Sequence, residues 1–453
     1  MSLFIKNAAF IATMDGDREL RNQDILIEGP AIQAIGPDLV PPPGAEVVDA
    51  SNYWVFPGLV NTHHHLYQVL TRCIGEIQEA ELFPWLKFLY PIWAGLTRDS
   101  VYAAAQVGLG ELLKSGCTTA SDHHYVFPRG QSQLIDAEIQ AAVELGIRFH
   151  PCRGSMSLGE KDGGLPPDSV IQTEEEILVD SQRLIKKYHD ASSYSMCQIA
   201  LAPCSPFSVT RSLLEQSVEL ARRHGVRCHT HVAETRDENQ FCLEQVGMRP
   251  LTYMEDVGWL GKDVWFAHGI HFTDAELDKL AATGTGIAHC PASNQKLSSG
   301  TAKIPQMLQR GVAVGLAVDG SASNDGSNML AEMKEALLTA KLTWGIDSLS
   351  ARDVLSMATR GSAALLGRDD IGILAQGKAA DLFMVRADSL DYAGCSDPIT
   401  ALVTAGSSET VDITVVNGRI VVQDGRLVNL EERELARRGN SAAQELLKKA
   451  GIA

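Results

Sequence analysis

The chain is predicted to be an α/β protein: a (β/α)8 TIM barrel with a small composite β-sandwich domain built from both termini. Three observations predict it. Eight apolar, strand-like runs alternate with helix-like stretches through the middle of 453 residues, the pattern of repeated βα units. Short alternating strands with turn signals occupy both ends of the chain instead. Polar residues recur where the apolar runs stop, the place where barrels of this type gather chemistry.

The opening ~55 residues read as strands from Leu3 to Ile11, Asp24 to Ile27 and Ala31 to Ile35, broken by Asp-Gly, Gly-Pro and Pro-Pro-Pro-Gly. That texture returns at Asp381 to Val385, Val411 to Val416 and Ile420 to Val422, with Asn417-Gly and Asp424-Gly as turns. The expected division is therefore residues 1–57 with 371–431 as the composite domain, 58–370 as the barrel and 432–453 as a charged C-terminal helix.

The eight barrel strands are expected to end near His65, His123, Arg153, Ser205, His231, His268, His289 and Asp319. Between them, Arg98 to Ser115 is bounded by Thr97 and Gly116, a cap at each end. Thr273-Asp-Ala-Glu276 fits a capping box for a helix from Asp274 to Ala282. The stretch from Arg236 to Gly258 is ambiguous, because Gly247 and Pro250 interrupt it.

Composition narrows the function. A net charge of −17 argues against nucleic acid and against an anionic membrane surface. No charged-then-apolar leader opens the sequence, and no run approaches the ~20 apolar residues of a membrane span. The nine cysteines are scattered without a CxxC pair, which suits reduced thiols and a cytoplasmic location. A small-molecule substrate fits best.

His63-His-His65 is the most informative stretch. On an extended strand residues two apart share a face, so His63 and His65 aim at one point while His64 turns aside. Cys228-His-Thr-His231 repeats that spacing and adds Glu234 three residues later. Two more apolar runs end in His268 and Asp319. A lone histidine after a strand is more often structural, and Asp-Gly is usually a turn. Four such endings at one predicted barrel mouth favour a metal site: imidazoles with a carboxylate suit zinc.

In order, Pro57-Gly-Leu-Val-Asn-Thr-His-His-His-Leu66, His231-Val-Ala-Glu234-Thr, Ala267-His268-Gly, His289-Cys-Pro-Ala-Ser-Asn294 and Val318-Asp319-Gly resemble the amidohydrolase superfamily. Gly377-Lys-Ala-Ala-Asp-Leu382 and Val416-Asn-Gly418 resemble its C-terminal strand pattern, so the resemblance spans essentially the whole chain. The chain is most similar to the mononuclear aminohydrolase branch. His63-His-His-Leu-Tyr-Gln68, Glu81-Leu-Phe-Pro-Trp-Leu86, Tyr90-Pro-Ile-Trp-Ala-Gly95 and Ser121-Asp-His-His-Tyr125 resemble the members that deaminate 8-oxoguanine, near those acting on isocytosine.

This resemblance implies His63, His65, His231 and Asp319 as ligands of one Zn2+, with Fe2+ as the alternative. It implies Glu234, His268 and Asp319 as the catalytic groups. The fourth strand, Gln198 to Ser205, lacks the lysine that bridges two metals in binuclear relatives, and this favours one ion. The activity implied is hydrolytic deamination of a free amino-oxo nucleobase, 8-oxoguanine to uric acid and ammonia first. A zinc-bound hydroxide would attack, and Glu234 would shuttle the proton.

Gln68, Trp85, Tyr125, Arg153 and His289 are the candidate substrate contacts. Each has a blander reading: Trp85 as loop packing, Arg153 as an ion-pair partner. Pro91-Ile-Trp-Ala-Gly95 lacks the glutamate with which nucleoside-type relatives grip ribose, which favours a free base. The alternatives are an isocytosine, guanine or other nucleobase deaminase and a triazine-type hydrolase. A non-enzymatic scaffold fits poorly, because such members lose ligand histidines. Homo-oligomerisation is also implied by the family.

Overall fold

The computed structural model describes residues 2–16, 18–406 and 410–452. Its centre is an eight-stranded parallel sheet rolled into a barrel. The strands are β1 (Leu59–Asn61), β2 (Cys117–His124), β3 (Arg148–Ser155), β4 (Ala200–Pro203), β5 (Arg227–Val232), β6 (Val264–His268), β7 (Gly286–His289) and β8 (Val314–Leu316). All are buried apart from the half-buried Arg227, as strands covered on both faces must be. Each neighbour pair from β1 through β8 is parallel.

Closure falls at the rim where the strands end. Past their interruptions, the first and last strands resume as the short pair His64–His65 and Asp319–Gly320, parallel and in register, Asp319 opposite His64. Below it the Thr62 N–H and hydroxyl both donate to the Leu316 carbonyl, at 3.2 and 3.0 Å. The Asp319 N–H donates to His63 O at 3.1 Å. The last strand is thereby stitched to the first at the level of the histidines.

The helices follow the expected caps. Arg98–Lys114 starts at Thr97, whose side chain accepts from Ser100 N. Asp274–Thr283 carries the Thr273/Glu276 capping box. The ambiguous stretch resolves into two helices, Arg236–Val246 and Pro250–Asp256. Gly247 adopts φ +70° between them, and Pro250 starts the second at a position where no N–H is needed. Less foreseeable was the helix Leu82–Trp93 in the long β1-to-β2 connection, which carries Pro91 in its last turn.

Both ends of the chain build two further sheets. One joins Ala31–Gly36, Gln23–Glu28, Ser2–Ala8 and Glu46–Asp49. The other has Leu382–Arg386 at its middle, antiparallel to both Tyr53–Pro57 and Ile413–Val416. Leu3, Ile5, Ile25 and Ile27 from the first pack with Val55, Leu382, Met384 and Val415 from the second in one apolar core. The composite sandwich is thus built from both termini. A buried Arg148 at the start of β3 ties it to the barrel. Its Nε and Nη2 donate to the Asp381 carboxylate at 3.0 and 3.1 Å.

All nine cysteines are free thiols. Among the described residues no helix is long and apolar enough to cross a membrane.

Candidate active site

His63, His65, His231 and Asp319 are all buried and meet at the mouth of the barrel. Asp319 Oδ1 lies 3.2 Å from His63 Nε2 and 3.4 Å from His65 Nε2. His65 Nε2 lies 3.2 Å from His231 Nε2. His64 turns aside to the hydroxyl of Ser327 at 3.0 Å, as the alternation of a strand requires.

Backbone acceptors set the proton positions on these rings. His65 Nδ1 is 2.7 Å from the His123 carbonyl and His231 Nδ1 is 2.6 Å from the Cys204 carbonyl. A carbonyl only accepts, so both Nδ1 atoms carry hydrogen and both Nε2 atoms present lone pairs. His63 reaches the same state through a relay. His229 Nδ1 donates to Trp265 O at 2.9 Å, which leaves its Nε2 to accept from His63 Nδ1 at 2.7 Å.

Burial holds His63 and His231 well below the ordinary imidazole range and brings His65 down to about 4. Three neutral imidazoles therefore turn lone pairs toward one another and toward Asp319 Oδ1, an arrangement that repels itself unless a cation lies among them. His63 Nε2 is buried and makes no hydrogen bond. Three nitrogens and one carboxylate oxygen are a donor set that suits zinc.

The geometry adds one donor. His123 Nε2 donates to Ala202 O at 2.8 Å, so its Nδ1 is also a lone pair, buried and unpartnered. Nitrogens of His63, His65, His123 and His231 lie within 4.8 Å of one another, as do ligand atoms of His63, His268 and Asp319. His123 is the penultimate residue of β2, and its place in the strand pattern was the signal available for it. Behind this cluster the Asp122 carboxylate accepts from Leu66 N at 2.7 Å and pins the chain just after His65.

Glu234 and His268 stand beside the cluster, with Glu234 Oε2 at 3.5 Å from His268 Nε2 and Asp319 Oδ2 at 4.0 Å from the same nitrogen. Burial raises the pKa of Glu234, partly opposed by the His268 charge. Burial also works against a charged His268, but the Glu234 and Asp319 carboxylates outweigh it and its pKa rises. Both shifts favour the protonated form and leave two neighbouring groups that can pass a proton between them.

Three ends of the site take left-handed backbone that non-glycine residues rarely adopt: Ala233 at φ +57°, His268 at +71° and Asp319 at +61°. Glu238 holds the first of these turns. Its two carboxylate oxygens accept from Ala233 N and Glu234 N, each at 2.8 Å. The short helix Pro291–Lys296 supports the others. Ser293 donates to Asp319 Oδ2 at 2.5 Å, and Asn294 Oδ1 accepts from His268 Nδ1 at 2.9 Å.

A narrow cavity of about 30 Å3 opens over these groups, against about 560 Å3 for a cleft between the barrel and the terminal sheet. Convergent titratable groups, not size, single it out. Gln68, Trp85 and Tyr125, three of the five candidate substrate contacts, line it. Gln68 rests on Gly320, where any Cβ would collide with its amide, and its Oε1 accepts from Ala322 N at 3.3 Å.

Two expected contacts are not brought to the cavity. Arg153 points outward. In β3 the inward positions are even: Cys152 packs in the barrel core, and a Cβ at Gly154 would meet His123 and Tyr125. The Arg153 guanidinium instead donates to Asp180 and Gln172 at 3.0 and 2.9 Å and stacks over Phe127 at 4.0 Å. It is the structural ion-pair partner. His289 is buried at the end of β7 and does not line the cavity.

Comparison with known proteins agrees with this layout. A family model described as the amidohydrolase family matches residues 54–421. The chain is 48% identical to an 8-oxoguanine deaminase of Pseudomonas aeruginosa, over 98% of this chain and 99% of that protein. It is 37% identical to a hydroxydechloroatrazine ethylaminohydrolase of a Pseudomonas species, over 94% and 92% of the two chains. Among solved structures it resembles atrazine chlorohydrolase TrzN from Arthrobacter aurescens TC1 complexed with zinc. The TM-score is 0.94 and the identity 35%, with 97% of this chain and 100% of that chain covered.

Proposed function

The chain belongs to the amidohydrolase family, and on that premise we propose that it hydrolytically deaminates a free amino-oxo nucleobase, 8-oxoguanine to uric acid and ammonia first. The observation that carries this reading is the pair of His63 and His65 Nε2 lone pairs on Asp319 Oδ1, with His231 Nε2 against that of His65, beside a Glu234–His268 pair. The 48% identity to an 8-oxoguanine deaminase over nearly the full length supports the choice of base.

In this reading His63, His65, His231 and Asp319 hold a single zinc ion, with iron as the alternative and His123 as a further donor within reach. A zinc ion at such a site supplies Lewis acidity and brings the pKa of water toward 7. Every other part of the reaction falls to side chains. Glu234, its pKa raised by burial, takes a proton from the attacking water and delivers it to the ring nitrogen beside the reacting carbon, which becomes more electrophilic. Asp319 and His268 hold the attacking oxygen by hydrogen bonds. The new C–O bond forms, and the hydrogen of the added hydroxyl passes through Glu234 to the amino group as that oxygen becomes a carbonyl. The C–N bond then breaks, and ammonia leaves with the electron pair. Gln68, Trp85 and Tyr125 supply the polar and flat walls for the base.

The test is a panel of 8-oxoguanine, guanine, isocytosine, adenosine, S-adenosylhomocysteine and hydroxylated triazines, compared by kcat/KM with metal content measured on the same sample. The highest kcat/KM is expected for 8-oxoguanine. A nucleoside preference overturns the free-base reading, and a triazine preference moves the chain to the other branch.

A further inference from the structure

The cavity wall contains two hydrogen-bond donors that no partner among the described residues satisfies. The helix Leu82–Trp93 turns Leu82, Trp85, Leu86 and Tyr90 toward the cavity. The indole N–H of Trp85 and the hydroxyl of Tyr90 are buried there without a partner. The two residues are 2% and 0% exposed, so solvent does not replace the missing acceptors. Their neighbours are ring edges and faces: both pack against Trp93, at 5.6 and 5.8 Å between ring centroids. Buried donors are almost always paired, and an unpaired one in a site wall marks where a ligand brings the acceptor.

An indole can only donate. Burial pushes the Tyr90 phenol well above its ordinary range, so it keeps its hydrogen. Tyr67, Trp93 and Tyr125 set the spacing. His65 contacts the rings of Tyr67 and Tyr125, Tyr67 contacts Trp93, and Trp85 and Tyr90 lie beyond. Trp85 and Tyr90 thus line the same cavity as Glu234 and His268 but are separated from His65 by the rings of Tyr67 and Trp93, on a wall that a bound base would meet away from its reacting edge.

We propose that Trp85 and Tyr90 read the fused five-membered ring of an oxopurine, donating to its ring carbonyl oxygen and so selecting a two-ring substrate over a single-ring base with the same reacting edge. This rests on the nucleobase reading above and deepens it. Isocytosine presents the same NH2–C–N–C=O edge to Glu234 but carries nothing that reaches the donor pair. A site built to hydrogen-bond a group penalises the analogue that lacks it far more than an apolar wall does.

Trp85→Phe and Tyr90→Phe keep an aromatic ring and remove one donor each. With the full-length, zinc-loaded protein, kcat/KM and calorimetric Kd are measured for 8-oxoguanine and isocytosine. Each variant is expected to lower kcat/KM and affinity for 8-oxoguanine about 10-fold or more, and by a clearly larger factor than for isocytosine. Equal losses on both bases, or none on either, overturn the proposal. Loss of 8-oxoguanine binding by the wild type overturns it together with the substrate assignment. Donor-dependent binding without turnover of either base sinks the deaminase reading and leaves the donor pair standing.

Discussion

Asn294 Oδ1 accepts from His268 Nδ1 at 2.9 Å, and that one hydrogen bond turns the other ring nitrogen, Nε2, toward Glu234 and Asp319. Asn294 does not reach the reacting atoms. It sets the tautomer of His268, the residue proposed to do so, while its neighbour Ser293 holds Asp319. Two consecutive residues of one short helix thus orient two catalytic candidates.

Asn294→Ala is expected to lower kcat about 10–100-fold, the usual effect of removing an orienting partner, with KM little changed. The pH–rate profile should shift as His268 loses its fixed tautomer. An unchanged profile with a uniform loss of soluble protein would reduce Asn294 to a packing role.

Glu234→Gln keeps the shape of the side chain and removes its proton. Turnover should fall about 10²–10⁴-fold while bound metal, measured by elemental analysis, stays at the wild-type ratio. Near-normal kcat refutes the shuttle.

Burial pushes Glu238 up to about 7 against the pull of its two backbone donors. Between the ordinary carboxyl range and that value the folded protein keeps a proton that the unfolded chain has released. Stability from this group is therefore full at low pH, falls as pH rises through the window and levels off above about 7. The total is on the order of 3 kcal/mol. Unfolding free energies of wild type and Glu238→Gln, measured from pH 5 to 8, should converge or cross with rising pH. A constant difference contradicts the assignment.

Arg148→Met leaves Asp381 buried beside an empty space and should destabilise the protein by about 3–5 kcal/mol. Combining it with Asp381→Leu should recover most of that loss, because two apolar side chains replace a desolvated pair. Denaturant titration of the four proteins in the cycle measures the coupling.

Much of this was legible in the sequence because it rests on period. A strand repeats every two residues, so His63 and His65, and the ends at His231, His268 and Asp319, declared a shared rim before any coordinates. Caps at Thr97 and Thr273 were equally local. What sequence reading missed depends on parity or distance. Arg153 sits one residue off the inward register of β3, and no local pattern reveals which parity faces in. Glu238 acts four and five residues back along the chain, on Glu234 and Ala233, through a helix that Gly247 and Pro250 obscured. The unpaired donors of Trp85 and Tyr90 exist only as an absence of partners, which a sequence does not record.

The stitch between His64–His65 and Asp319–Gly320 also imposes an order of assembly. Thr62 and Leu316, which seal that seam, are 254 positions apart, so the strand that starts the barrel waits for the strand that finishes it. A nascent polypeptide acquires its first pair of imidazoles early and its carboxylate only after every intervening βα unit has been laid down. The Asp319 oxygen therefore joins the imidazole cluster only when the last long-range pairing of the fold closes.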